Sequence, residues 1–129
     1  MVGIVLEGQI AVEERQRLLE DGSEISVVLR ERDAQGKKST TMLQFGMNGS
    51  VAWVWCQEDK EGSDGRTVLE EVLVHEAVEL FRGYLERMEL RRCLVDSSPL
   101  SPAIVEIEPS IQDVVANLAA EFGITVPLG

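Results

Sequence analysis

Gln44-Phe45-Gly46-Met47-Asn48-Gly49-Ser50 joins two apolar runs, residues 40–45 and 51–56. An Asn-Gly step between such runs is the strongest short-range hairpin signal, because both residues tolerate the positive φ of a tight turn. Gly46 offers a second point of free bending, or a bulge. The second run, Val51-Ala52-Trp53-Val54-Trp55-Cys56, is apolar on both faces. Val51, Trp53 and Trp55 point one way, and Ala52, Val54 and Cys56 the other. A strand of this kind needs cover on both sides, so it reads as a central strand.

The chain has 129 residues, 44% apolar and 27% charged, the size and composition of one globular domain. No apolar run approaches the roughly 20 residues of a membrane span. The opening Met1-Val2-Gly3-Ile4-Val5-Leu6 is cut short by Glu7 and has no basic flank. It reads as a first strand, not as a secretory signal. A net charge of −11 argues against a nucleic-acid backbone as partner and suits either simple solubility or a basic protein partner. Cys56 and Cys93 each lie in an apolar run and read as buried thiols of a reducing, cytoplasmic compartment, with a disulfide between them left open.

Outward from the hairpin, strands are expected over 4–12 and 25–32. Residues 13–20 are a short helix or the polar face of a continuing strand, and Asp21-Gly22-Ser23 is a turn. The segment 57–66, polar and acidic with two glycines, is expected to be a mobile loop or a long hairpin tip, followed by a short strand at 67–69. Val74, Ala77, Val78, Phe81, Tyr84, Leu85 and Met88 recur at three and four residues, an amphipathic helix of about four turns. Cys93-Leu94-Val95 reads as a strand, 96–102 as a turn region with two prolines, and 103–107 as another strand. A second helix carries Ile111, Val114, Val115, Leu118, Ala119 and Phe122. Ser110 is its N-cap, Asp113 stands in capping-box position, and Gly123 is its stop. Residues 124–129 form a tail. Strands first and helices later imply a single α+β domain over 1–129: an antiparallel sheet of about six strands with two amphipathic helices on one face.

Little in the chain suggests catalysis. His75 is the only histidine, and no local motif supports its pairing with Cys56 or Cys93 as base and nucleophile. Glu58, Asp59, Glu61 and Asp64 lack the spacing of a calcium loop, and the hairpin lacks that of a phosphate loop. The expectation is a protein that is not an enzyme and uses no metal or cofactor. Trp53 and Trp55 are either core or interface anchors, since Trp is enriched at binding hot spots. With two helices on one face and only polar segments left over, the face of Val51, Trp53 and Trp55 is expected to be a partner interface.

The hairpin resembles the proteasome assembly chaperone 3 family, which carries a Gln-Phe-Gly-x-x-Gly step, a small hydroxyl residue and an apolar strand. Here these are Gln44-Phe45-Gly46-Met47-Asn48-Gly49, Ser50 and Val51 onward. The order of the Thr67-Val68-Leu69 strand, the helix from Val74 to Met88, the Cys93-Leu94-Val95 strand and the helix from Ser110 to Phe122 is also similar, so the likeness covers about residues 40–122. The acidic 57–66 segment, the prolines of 96–102 and the tail depart from the family pattern. The resemblance implies a non-catalytic chaperone that pairs with itself or a related subunit. It would hold α-type proteasome subunits while the α-ring forms, with no nucleic acid or membrane involved. Two readings from other classes share the same features: a bacterial immunity protein that neutralises a basic toxin, and a small hydrolase or transferase using Cys93 or His75.

Overall fold

A computed structural model of the protein describes residues 3–20, 22–97, 100 and 102–128. In chain order the elements are β1 (Ile4–Glu7), α1 (Gln9–Leu19), β2 (Ser23–Arg32), β3 (Lys38–Asn48), β4 (Val51–Lys60), β5 (Arg66–Val72), α2 (Val74–Asp96), β6 (Ile104–Glu108) and α3 (Ile111–Phe122). The strands form one six-stranded sheet, β1-β5-β4-β3-β2-β6, antiparallel throughout. The fold is α+β, as the sequence implies, with one helix more than expected. No helix among the described residues is long and apolar enough to cross a membrane.

The β3–β4 hairpin forms as expected, with the turn one residue later. Asn48 pairs with Val51, so the two-residue loop is Gly49-Ser50. Gly49 has φ 64°, and no described non-glycine residue has a positive φ. Positive φ at the first loop residue alone is the II′ pattern, for which glycine is the natural choice. Gly46 neither bends nor bulges the strand, because the register runs unbroken from Ser39↔Lys60 to Asn48↔Val51. Its role is spatial: a Cβ there would overlap the indole of Trp53, its partner across the ladder.

One core lies under α2 and α3. Ile25, Val27 and Leu29 of β2, Leu43 and Phe45 of β3, and Ala52, Val54 and Cys56 of β4 meet Ala77, Phe81, Leu85 and Met88 of α2 and Ile111, Val114 and Leu118 of α3. Phe45 is its centre, with ring centroids 5.6 Å from both Phe81 and Phe122. Both expected apolar stripes therefore lie on the same face, with Val115 and Phe122 partly buried and Ala119 exposed. The ends of α3 are as the sequence states. Ser110 accepts from the Asp113 N–H at 3.2 Å, and Gly123 closes the helix in the left-handed conformation at φ 67°.

Four expectations are corrected. The first strand stops at Glu7, because Gly8 at φ 67° turns the chain into α1; helix therefore occupies residues 9–12 as well as most of 13–20. Half of the segment 57–66 is strand. Gln57, Glu58, Asp59 and Lys60 continue β4 opposite Met42, Thr41, Thr40 and Ser39, leaving only 61–65 as the tip. Two neighbouring strands that supply ladder partners outweigh a polar composition. The Cys93-Leu94-Val95 strand does not exist, since α2 runs on to Asp96. Ion pairs from Arg92 to Glu89 and, at 2.8 Å, to Asp96 favour helix there. The strand between the two long helices is β6 alone. Finally, Cys93 is exposed and only Cys56 is buried; both thiols are free. The turn expected at 21–23 and the one at 96–102 lie partly outside the described residues, as does the last residue of the 124–129 tail, of which Val126 is buried.

Gly46→Ala should destabilise the protein by about 1–3 kcal/mol, the usual cost of overfilling a close-packed site. Urea unfolding measures this, and an unchanged midpoint would mean that the Trp53 indole does not rest on Gly46.

Candidate functional site

The second face of the sheet was expected to be open. It is covered by α1. Trp53 is 0% and Trp55 3% exposed, in a second core with Leu69 and with Ala11 and Leu18 of α1; Leu6, Leu19 and Met42 border it. The two indoles are core side chains and present no exposed surface to a partner. Val51, the third expected interface residue, is half-buried beside the turn. The cause is α1 itself, whose inward stripe is Ala11, Arg15 and Leu18, spaced at four and three residues.

Arg15 is the unexpected member of that stripe. Its guanidinium lies 4.2 Å from the ring centroid of Trp55, so a flat cation does the covering that an apolar side chain would do. The Arg15 Nε donates to the Gln44 Oε1, and the Gln44 Nε2 donates to the Ser26 Oγ at 2.9 Å. Glu24 stands 3.7 Å from the guanidinium. Burial lowers the Arg15 pKa and the Glu24 charge opposes that shift, but an arginine remains charged in either case. Gln44 is the one buried polar residue among those described, and this network is what satisfies it.

The residues of the hairpin motif therefore have architectural work. Gln44 ties β3 to α1 and β2, Phe45 centres the larger core, Gly46 seats Trp53, and Gly49 makes the turn. Asn48 donates to the Leu18 carbonyl at 3.4 Å, linking the hairpin to the end of α1.

The candidate catalytic residues are not brought together. His75 is exposed in the first turn of α2 and Cys93 is exposed near its other end. Eighteen residues of helix separate them by about 27 Å. Cys56 lies beneath Tyr84, nine residues and about 13 Å along the helix from His75. Burial first, and then the Glu58 carboxylate, push the Cys56 thiol up to about 11, the direction opposite to an activated nucleophile. Among the described residues no group of three or more His, Cys, Asp and Glu could hold a metal ion. Glu58, Asp59, Glu61 and Asp64 are separated by the hairpin ladder and its tip, where the Lys38 N–H donates to Glu61 at 2.9 Å.

What the sheet does leave open is distributed diagonally. α1 sits over β5 and β1 on its face, whereas α2 and α3 sit mainly over β4, β3, β2 and β6 on the other. On the α1 face, β2 and β6 expose Arg30, Ile104, Glu106 and Glu108; on the α2–α3 face, β1 exposes Val5 and Glu7. Compared with protein-family models the sequence matches none, and compared with curated proteins it matches none.

Two expected outcomes test this description. Trp53→Ala should cost about 3–5 kcal/mol by urea unfolding, and the double change Trp53→Ser with Trp55→Ser should unfold the chain rather than dissociate a complex. A stable, folded double variant would return the indoles to the surface. Separately, alkylation near neutral pH should label Cys93 alone, with Cys56 reacting only on denaturation. Because folding raises the Cys56 pKa from 9.0 to about 11, its contribution to stability is complete below about pH 9 and falls as pH rises through 11. Rapid labelling of both thiols in the native protein would contradict this.

Proposed function

We propose that the protein is a non-catalytic, cytoplasmic assembly chaperone. It binds α-type proteasome subunits, as a homodimer or paired with a related subunit, and holds them during α-ring formation. The observation that supports a binding role best is the incomplete cover of the sheet. A domain of this size has three helices available to cover its sheet, yet it leaves part of each face and both edge strands to solvent. Ile4, Val5 and Ile104 are all exposed there. Exposed apolar side chains gathered on strand edges and half-faces suit a protein partner.

The specific class rests on the hairpin Gln44-Phe45-Gly46-x-x-Gly49-Ser50 and on β5, α2 and α3 after it; the strand between the two helices is β6, not the Cys93-Leu94-Val95 segment on which the likeness was drawn. Since the motif residues build the fold, they support the reading through the shape they impose, not by contacting a client. The separation of His75 from both cysteines speaks against the hydrolase or transferase reading. The two unpaired thiols suit a reducing cytoplasm. A pairing interface would not use the indoles of Trp53 and Trp55, which α1 covers.

Affinity purification of the tagged chain from its own cells, followed by mass spectrometry, should recover α-type proteasome subunits. A basic secreted toxin recovered in their place would instead make the chain an immunity protein, for which its −11 charge is equally suited.

A further inference from the structure

Among the described residues β1 is an edge strand, bonded to β5 alone, so its outer backbone groups have no ladder partner there. Native edges are commonly guarded by proline, lysine or inward charges. This one carries Ile4 and Val5, 55% and 54% exposed, with a single charge at its end, Glu7. The other edge is different: β6 alternates apolar residues with Glu106 and Glu108, and Glu108 pairs with Arg30 at 3.1 Å.

Beside β1, on the face that α2 leaves uncovered, a recess of about 130 Å³ is lined by Val5, Glu7, Glu58, Val68, Glu70 and Tyr84, with Cys56 and Arg66 completing it. That volume admits the head of one long side chain. Its charges are unequal. Arg66 pairs with Glu7 at 3.4 Å, which leaves Glu58 and Glu70 with no ion pair among the described residues. The Glu70 Oε2 is buried and accepts no hydrogen bond. Buried carboxylate oxygens call for a donor, and a cationic one gains most. A second copy of this chain, also at −11, brings the wrong sign.

We propose that the β1 edge and its recess dock an extended, basic segment of a partner protein, which adds as a seventh strand beside β1 and sets one lysine or arginine head against Glu70. Strand addition supplies affinity through the main chain, and the pocket for an alternate side chain supplies selectivity. This rests on the protein-binding role proposed above and names one surface that performs it.

The probe is a fluorescent eight-residue peptide alternating valine and lysine, with the valine–glutamate peptide as control. Binding is read by anisotropy and by amide exchange. The lysine peptide should bind, weaken on adding salt, and slow exchange at Ile4–Glu7. Glu70→Gln should reduce affinity about tenfold. Val5→Lys, at a site exposed enough to fold normally, should abolish binding. Equal binding of the glutamate peptide, failure of the lysine peptide to bind, affinity unchanged in both variants, or protection appearing on α2 instead of β1 would each overturn the proposal. Recovery of α-type subunits at full yield by the Val5→Lys chain would overturn this site while leaving the chaperone role standing. Peptide binding as described, without recovery of those subunits, would support the site and remove that role.

Discussion

The indole of Trp53 rests on Gly46, and much of the molecule follows from that contact. A tryptophan near the start of a central strand fills the layer above the sheet, so its neighbour across the ladder must have no side chain. With Trp55 two residues on and Leu69 on β5, it creates an apolar surface on the face opposite α2 and α3, and α1 is the element that closes it. The closure is imperfect in its polar accounting. Neither the Trp53 nor the Trp55 Nε1 finds an acceptor. Each such group costs about 1–3 kcal/mol, against the large apolar area that two buried indoles remove from water. The α1 side of the sheet thus carries two unsatisfied donors, whereas the α2–α3 side holds aromatic contacts through Phe45 and leaves an acceptor, the Glu70 Oε2, without a donor.

How far the fold was legible depends on how local its signals are. The hairpin and α3 were legible because turn glycines, the Ser110 cap and the Gly123 stop act within a few residues of where they sit. α1 was not. Its inward stripe is short and has Arg15 at the centre, so a periodicity judged by apolarity breaks where the stacked cation stands. Ala11, Arg15 and Leu18 at helical spacing were the available signal, but only the position of Trp55 makes an arginine acceptable there. The last turns of α2 were misread for a related reason. Cys93-Leu94-Val95 has strand composition, while the ion pairs that hold it helical involve Glu89, Arg92 and Asp96 around it.

The same reasoning separates what the sequence told about the site from what it did not. Two tryptophans on one side of a strand were read as an open interface, but that inference depended on counting two helices and left out the short helix that 13–20 also allows; α1 there makes the indoles core. Glu70 went unnoticed altogether. It is one of several glutamates in the chain, and its distinction is that one carboxylate oxygen is buried without a donor beside an edge strand. Burial of that kind is created by Val5, Tyr84 and the hairpin around it, and is invisible to spacing along the chain.

Helix placement also explains why the binding surface should lie at an edge. The eleven-residue α1 lies over β5 and β1. A six-stranded sheet is therefore too wide for α1, and the other face needs both α2 and α3 to cover β2 to β4. The uncovered remainder falls at opposite corners, where each edge strand has one sheltered face and one open one. At the β6 corner the open face carries Arg30, Glu106 and Glu108, charges that hydrate well and deter pairing. At the β1 corner it carries Val5 above a buried carboxylate, and the edge strand itself bears one charge, Glu7. Two corners of similar geometry thus differ in chemistry, and that difference gives the sheet one guarded edge and one receptive edge.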